Sequence, residues 1–286
     1  MTGVTRDLWA SMRAEAVRLG RWPAFWIVLG VWLLLNLTFA YLFNYLAYTS
    51  GEGGAMSDGL PRDVLLGQLL PAAVSEVFTQ GMAMFGGALM LVLGALAVGS
   101  GYGWGTWKTV FTQGPSRPAA IGGLLLSLLV VVVALVCAAF AVDLGVASLI
   151  AVSEGRPLVL PTLTRSVLGI GSGAAILGMW TLAGALVGAI ARGPALAVGL
   201  GLIWVLVVEN LLRGVAGVFG PIETVTDLLP GTAAGSLAGA MRTVGGPATP
   251  GVLDILSRGE SLALLGAYVL VFGGGTIWLM TRRDLT

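Results

Sequence analysis

Charged residues are absent from six long stretches of the chain, and this spacing predicts its main elements. Five of the stretches hold between 21 and 31 uncharged residues, and the sixth, between Arg192 and Glu209, holds 16. A helix needs roughly 20 mostly apolar residues to cross the ~30 Å hydrocarbon core of a membrane. The pattern therefore predicts an all-α integral membrane protein with six transmembrane helices in a single domain, 1–286. The expected spans are 24–46, 78–99, 119–142, 166–190, 195–215 and 261–281.

Composition supports a membrane protein and excludes several kinds of site. The mean hydropathy is +0.94, and the ten-residue alternating segments of an outer-membrane barrel are absent. The chain has no histidine and one cysteine, Cys137, so histidine metal sites, histidine-based triads and intrachain disulfides are excluded. Ser172, in the glycine-rich run 169–173, then lacks a base that could make it a nucleophile. We expect no enzymatic activity, bound metal or nucleic-acid partner.

Basic residues favour a cytoplasmic location for both termini. With the N-terminus inside and six spans, the cytoplasmic segments hold nine of the 15 basic residues and only three of the 14 acidic ones. An excess of Lys and Arg in short cytoplasmic segments is the main determinant of orientation. The nine residues are Arg6, Arg13, Arg18, Arg21, Lys108, Arg117, Arg192, Arg282 and Arg283.

The segment 7–21 has the pattern of an amphipathic helix at the inner membrane surface. A spacing of ~100° per residue places most charged residues, including Arg13 and Arg18, opposite one apolar arc. We expect these arginines to meet anionic headgroups and Trp9 to lie at headgroup depth. The alternative is a short helical extension of span one. The apolar arc contains Leu8, Trp9, Met12, Ala16 and Leu19.

The loop at 103–117 is the most informative cytoplasmic segment. A helix of about two turns is expected from Thr106 to Gln113, with aromatic side chains exposed beside Lys108, the only lysine of the chain. This form suits docking of a cytosolic partner, but an ordinary interfacial turn with an aromatic belt fits as well. Lys108 does not belong to a P-loop, because Trp107 occupies the position of the required glycine. The candidate contact residues are Trp104, Gly105, Thr106, Trp107, Lys108, Phe111, Pro115, Ser116 and Arg117.

The run Gly105-Thr106-Trp107-Lys108, followed by Pro115-Ser116-Arg117, resembles the first cytoplasmic loop of ABC-2 type permeases. These proteins are the membrane subunits of many bacterial ABC transporters. The order of elements resembles that family over the whole chain: an amphipathic start, six spans, a long segment between spans five and six, and the ending Arg282-Arg283-Asp284.

The resemblance implies a role for each of these segments. It implies an interface helix at 7–21, with Trp9, Met12, Arg13 and Arg18, and a coupling helix within 103–117. It also implies re-entrant extracellular helices within 221–243, split at Pro230-Gly231, although a plain extracellular loop is the alternative there.

The implied function is a permease subunit of an exporter in the bacterial cytoplasmic (inner) membrane. It would work with two copies of a cytoplasmic ABC ATPase subunit that holds ATP and Mg, and with a second permease subunit in a homodimer or heterodimer. The chain itself would hold no cofactor. Few charges within the spans favour an apolar or amphipathic cargo. An ATP-independent carrier or a non-transporting membrane subunit is the alternative.

Four polar residues within the predicted spans are candidates for lining a pathway: Asn36, Asn44, Glu209 and Arg213. Glu209 lies ~22 Å above the start of span five, at 1.5 Å per residue. Arg213 follows four residues later, so an internal ion pair is expected, with substrate contact as the alternative. Asn36 and Asn44 can bond between helices or line a path. Asp143 is expected at the outer surface, where tilt or a break absorbs the excess length of span three.

Overall fold

The structure, a computed structural model, describes residues 3–50, 60–113, 115–216, 220–242 and 249–283, and every regular element in these ranges is helical. The predicted all-α class is therefore confirmed for the described chain. In chain order the helices are α1 (Gly3–Gly20), α2 (Pro23–Ser50), α3 (Arg62–Leu69), α4 (Val74–Gly81), α5 (Gly87–Gly103), α6 (Thr106–Gln113), α7 (Arg117–Ser153), α8 (Leu163–Ala191), α9 (Pro194–Ala216), α10 (Gly220–Asp227), α11 (Pro230–Gly239) and α12 (Arg258–Arg282).

Five of these helices, α2, α7, α8, α9 and α12, are long and apolar enough to cross a membrane. A sixth candidate arises only if α5 is joined to α6, from which it is bent by 77°. Three single π-helical turns interrupt the α-helical pattern. Two lie within α2 and α9, at Thr38–Leu42 and Trp204–Val208, and the third, Met82–Gly86, connects α4 to α5. Such turns shift the register of the side chains that follow them.

Helices α5 and α8 form the centre of the bundle and approach each other through glycines. A Cβ at Gly94 would strike the carbonyl oxygen of Thr181, and a Cβ at Gly184 would strike that of Leu91. Small residues permit this close backbone contact between membrane helices. In the most apolar 18-residue stretch of each helix, 67% of the residues of α8 are buried, against 17% for α9 and 11% for α12. Those two helices therefore form the periphery, with apolar side chains exposed.

Helix α7 continues without a break past Asp143, and the carboxylate is completely buried. Of the two expected ways to absorb the excess length of span three, tilt or a break near Asp143, the break is therefore wrong. No proline follows Pro118 within the helix, so the backbone has no reason to bend. At 37 residues the helix is ~55 Å long and exceeds the hydrocarbon core.

Helix α1 packs along the start of α7, where glycines allow the two backbones to approach closely. A Cβ at Gly123 would meet Ser11 and the backbone of Met12, and Leu19 is fully buried. Of the predicted apolar arc, Leu19 is buried against protein, whereas other members are not. Trp9 is 59% exposed, and Ala16 is also exposed. The reason is that α1 packs against protein along the face that carries Leu8, Ser11 and Leu19.

In the sequence, helices α10 and α11 come between α9 and α12, and a turn at 228–229 separates them. Pro230 begins α11, where its missing N–H costs no hydrogen bond. Most of α11 is buried, and the extended segment after it returns to pair with it, since the Leu253 N–H donates to the Gly235 carbonyl at 3.0 Å. The predicted segment 221–243 extends to residue 243, which lies outside the described residues.

Candidate functional site

The loop at 103–117 contains a short helix, α6, over the predicted residues. Gly105, with φ +67°, provides the left-handed turn that redirects the chain after α5. Trp104 is 68% exposed, and Thr106, Lys108 and Thr109 are exposed as well. One face of the loop therefore presents an indole and an ammonium group away from the bundle.

Trp107 is not part of that exposed face, contrary to the prediction. It is only 4% exposed, and its indole Nε1 donates to the Val98 carbonyl at 3.0 Å. Its ring also stacks on Phe111, with centroids 5.6 Å apart. Residues four apart share a helix face, and here that face packs on α5, where Gly101 leaves room for the indole. Trp107 therefore anchors α6 to the bundle.

Arg117, at the start of α7, connects the loop to the end of the last helix. Its guanidinium lies 5.3 Å from the Phe111 ring centroid and donates to the carbonyls of Thr281 and Arg283 at 3.4 Å. Pro115 is partly buried and Ser116 is exposed. The end of α6, the start of α7 and the end of α12 are thus held together by one side chain.

A cavity of about 420 Å³ separates α1 from α6. Carboxylates from Asp7 and Glu15 line it on the α1 side, and Trp107 and Val110 line it on the α6 side. Arg18 bonds to Glu15 at 2.5 Å and reaches the Ala97 carbonyl at 3.4 Å, whereas Arg13 is exposed. The predicted interface and coupling segments therefore lie side by side.

Glu209 is 1% exposed, and its carboxylate has partners that the sequence did not indicate. It accepts a hydrogen bond of 2.9 Å from Trp204 Nε1 and another from the Gly231 N–H at the start of α11. Among the ion pairs of the described residues, none joins Glu209 to Arg213. Arg213 donates instead to Asn210 Oδ1 at 2.9 Å. The π-helical turn at Trp204–Val208 explains the contact with Trp204, because it aligns residues five apart.

The two asparagines of α2 have different partners. Asn36 is buried and donates to Asp143 Oδ1 at 2.7 Å, whereas Asn44 donates to the Ala40 carbonyl of its own helix at 2.9 Å. Both line a small cavity of about 140 Å³ together with Gln68 and Gln80. The structure therefore brings Asn36 and Asn44 to one cavity and also gives Asn36 a packing role.

A carboxylate that the sequence analysis did not single out joins the C-terminal ends of α2 and α7. Glu154 accepts hydrogen bonds from the hydroxyl groups of Tyr45 and Tyr48, at 2.8 and 2.9 Å. These bonds, led by that of Tyr45, lower the pKa of Glu154 below its ordinary value. The two tyrosines are three residues apart on one helix face, which was the only sequence signal for this contact.

A scan against known protein families and a search of curated proteins each found no match to this chain. The assignment to the ABC-2 type permeases is therefore a proposal that rests on the residues and the order of the elements.

Proposed function

We propose that this chain is the permease subunit of an ATP-driven ABC transporter of the ABC-2 type, an exporter of apolar or amphipathic substrates. The observation that carries the proposal is helix α6 with the turn before it, which is anchored by Trp107 and exposes Trp104 and Lys108. A subunit without a P-loop needs such a surface to receive energy from a partner. ATP and Mg then belong to two copies of a separate nucleotide-binding subunit.

The contacts of α6 suit the transmission of force. Trp107 ties the helix to α5, and Arg117 ties the same region to the end of α12. Closure of the docked ATPase subunits would move these cytoplasmic ends together, as rigid elements tilt in domain closure. Helix α1 and its cavity beside α6 would extend the docking surface, with Arg13 at its exposed edge.

The proposed topology has six spans with both termini in the cytoplasm, in a bacterial inner membrane. The second span would be formed by α4, the connecting π-turn and α5, which follow one another without a gap. The contact of Glu209 with Gly231 supports a re-entrant α10–α11 segment, because Glu209 lies ~22 Å along α9 from Pro194. Irregular backbone at that depth is tolerated where it is buried in protein, and Thr232 bonds the Thr226 carbonyl at 2.6 Å.

Co-purification with an ATPase tests the proposal. The tagged chain, extracted in mild detergent, should retain a cytoplasmic ATPase, and Lys108→Glu combined with Trp104→Ala should release it. Trp107 is unsuitable for this test because it is buried. The matched control is Trp278→Ala, which removes an exposed indole from α12 instead. The absence of any associated ATPase from the wild type would contradict the permease assignment.

One observation favours a second candidate, an ATP-independent carrier. Asp143 is completely buried, and its Oδ2 atom has no hydrogen-bond partner among the described residues. Ionisable groups within membrane bundles often serve ion or proton movement. Transport by the purified chain alone, driven by an ion gradient and abolished by Asp143→Asn, would support this candidate.

A further inference from the structure

Two adjoining cavities are lined in part by α5 and α8, and their linings differ. The first, of about 220 Å³, is lined by the charged or polar side chains of Glu209, Asn210 and Arg213 among apolar neighbours. The second, of about 440 Å³, is lined almost entirely by apolar side chains, including Leu91, Ala183 and Phe272. The second falls within the size range of small-molecule pockets, about 300–1,000 Å³.

The cavities are neighbours along a shared wall. Trp180 lines both of them. Trp204 lines the apolar cavity and donates its indole N–H to the carboxylate in the polar one. Pro230 and Gly231, consecutive at the start of α11, line one cavity each. A single ligand could therefore place a polar end and an apolar end in the two cavities at once.

The polar cavity holds one negative and one positive side chain that are not paired with each other. Glu209 is fixed by two neutral donors, Trp204 and Gly231, and these leave other lone pairs of the carboxylate open. Arg213 gives one of its five N–H groups to Asn210. A cation alone would leave the guanidinium without an anion, and an anion alone would face the buried carboxylate.

The apolar cavity opens among exposed apolar side chains. Val225 and Leu228, both more than half exposed, form part of its rim, and Trp204 is also partly exposed. The Tyr268 hydroxyl donates to the Leu228 carbonyl at 2.6 Å and so holds the turn that forms this part of the rim. A chain that enters from a bilayer would meet no polar barrier at this rim.

We propose that the two cavities bind one zwitterionic amphiphile, with its ammonium group at Glu209, its anionic group at Arg213 and its apolar chain against Leu91, Ala183 and Phe272. As a statement about cargo, this inference rests on the proposed function. As a statement about binding, it stands on the cavities alone. A bilayer phospholipid and an exported amphiphile share the chemistry that the site recognises.

Fluorine NMR of the chain in nanodiscs, with 5-fluorotryptophan at its tryptophans, tests the binding site. The probe is dodecylphosphocholine with a spin label on its chain, and the comparison probes are spin-labelled dodecyltrimethylammonium and dodecyl phosphate. The zwitterionic probe should broaden the signals of Trp180 and Trp204 at the lowest concentration. Trp26 and Trp278, each 56% exposed, report partition into the bilayer. Single Trp→Phe variants assign the signals.

Different substitutions test the binding of the polar end and of the apolar end of the ligand. Glu209→Gln and Arg213→Gln should each weaken the binding of the zwitterionic probe roughly tenfold, because each removes a charge-assisted hydrogen bond. Gln at 209 has one acceptor oxygen in place of two, so it can keep the bond from Trp204 or from Gly231 but not both at separate oxygens, and circular dichroism checks that the fold persists. Ala183→Leu should weaken binding by filling the apolar cavity. Asp63→Asn, at a side chain that is 93% exposed, is the matched control.

Three outcomes would overturn the proposal. These are equal affinity for the three probes, no effect of the Glu209 and Arg213 variants, and broadening of Trp26 and Trp278 at the same concentrations as Trp180 and Trp204. Native mass spectrometry distinguishes the sources of the ligand. A retained phospholipid that is lost in Glu209→Gln identifies a bilayer lipid, and a site that is empty until the probe is added identifies an added amphiphile; both outcomes support the site.

The result is independent of the permease test. Binding without an associated ATPase would keep the site and reject the proposed transporter. An associated ATPase without binding of the probe would keep the proposed transporter and reject the binding site.

Discussion

Asn36 Nδ2 donates a hydrogen bond of 2.7 Å to Asp143 Oδ1, although the two residues are 107 positions apart. Both side chains are buried, so this bond joins α2 to α7 inside the bundle, beside the small cavity that Asn36 lines. A buried carboxylate that loses its partner is costly, whereas removal of both groups together can be nearly neutral. The effect of substituting one of these residues on stability should therefore depend on whether the other is still present.

Asn36→Leu should lower the free energy of unfolding by about 1–3 kcal/mol, the cost of a buried polar group left without its partner. Asn36→Leu with Asp143→Leu should be more stable than Asn36→Leu alone. Denaturation in mixed micelles measures both. The matched control is Asn44→Leu, whose side chain bonds within its own helix. A double variant that loses the sum of the two single effects would contradict the coupling.

Gly184→Ala should destabilise the bundle by about 1–3 kcal/mol or more, because the new methyl group meets the Leu91 carbonyl, which cannot move aside as a side chain could. Gly171→Ala, in the same helix, has nothing within contact distance and should be neutral or slightly stabilising. Thermal unfolding of the two variants compares them directly. Equal stability would show that α5 and α8 are further apart than described.

Trp107→Ala should reduce stability by about 3–5 kcal/mol, because it deletes a buried ring and the donor to Val98. Trp104→Ala should change stability by less than about 0.5 kcal/mol, as an exposed side chain does. Thermal melts give both values. A large loss of stability in Trp104→Ala, or none in Trp107→Ala, would reverse the assignment of anchor and exposed residue.

The bonds to Glu154 predict a dependence of stability on pH. Because the pKa of Glu154 is lower in the folded state, the carboxylate adds stability above its unfolded-state pKa, and this is lost as the pH falls through the folded-state value. Tyr45→Phe with Tyr48→Phe should therefore be less stable than wild type at neutral pH. The difference should shrink below the ordinary carboxyl range, about pH 4.3. If the difference in unfolding free energy between wild type and the double variant is the same at every pH, this account is contradicted.

The sequence predicted the helices more completely than the contacts between them. Charge-free runs report burial in a membrane directly, and Pro115 and Gly105 mark the ends of α6, so these elements follow from local pattern. The position of Trp107 does not, because the helical period groups it with Phe111 without indicating which face meets the bundle. The burial of Asp143 within the bundle was not predicted either, because a single acid near the end of a long apolar run resembles a boundary.

The partners of Glu209 were inaccessible to local reasoning for a different reason. Its contact with Trp204, five residues earlier, depends on the π-helical turn at Trp204–Val208, and no residue pattern in that apolar run indicates such a turn. The second donor, Gly231, lies on a separate helix and becomes a neighbour only through the tertiary fold.

Cross-linking from α6 tests the central claim most directly. In a Cys137→Ser background, Lys108→Cys should form an adduct with the co-purifying ATPase through a short thiol-reactive cross-linker, and nucleotide should change its yield. Thr249→Cys, which borders the cavity of Asn36 and Asn44, is the matched control and should give no adduct. An ATPase that co-purifies but never cross-links at 108, or that cross-links equally at 249, would contradict docking on α6.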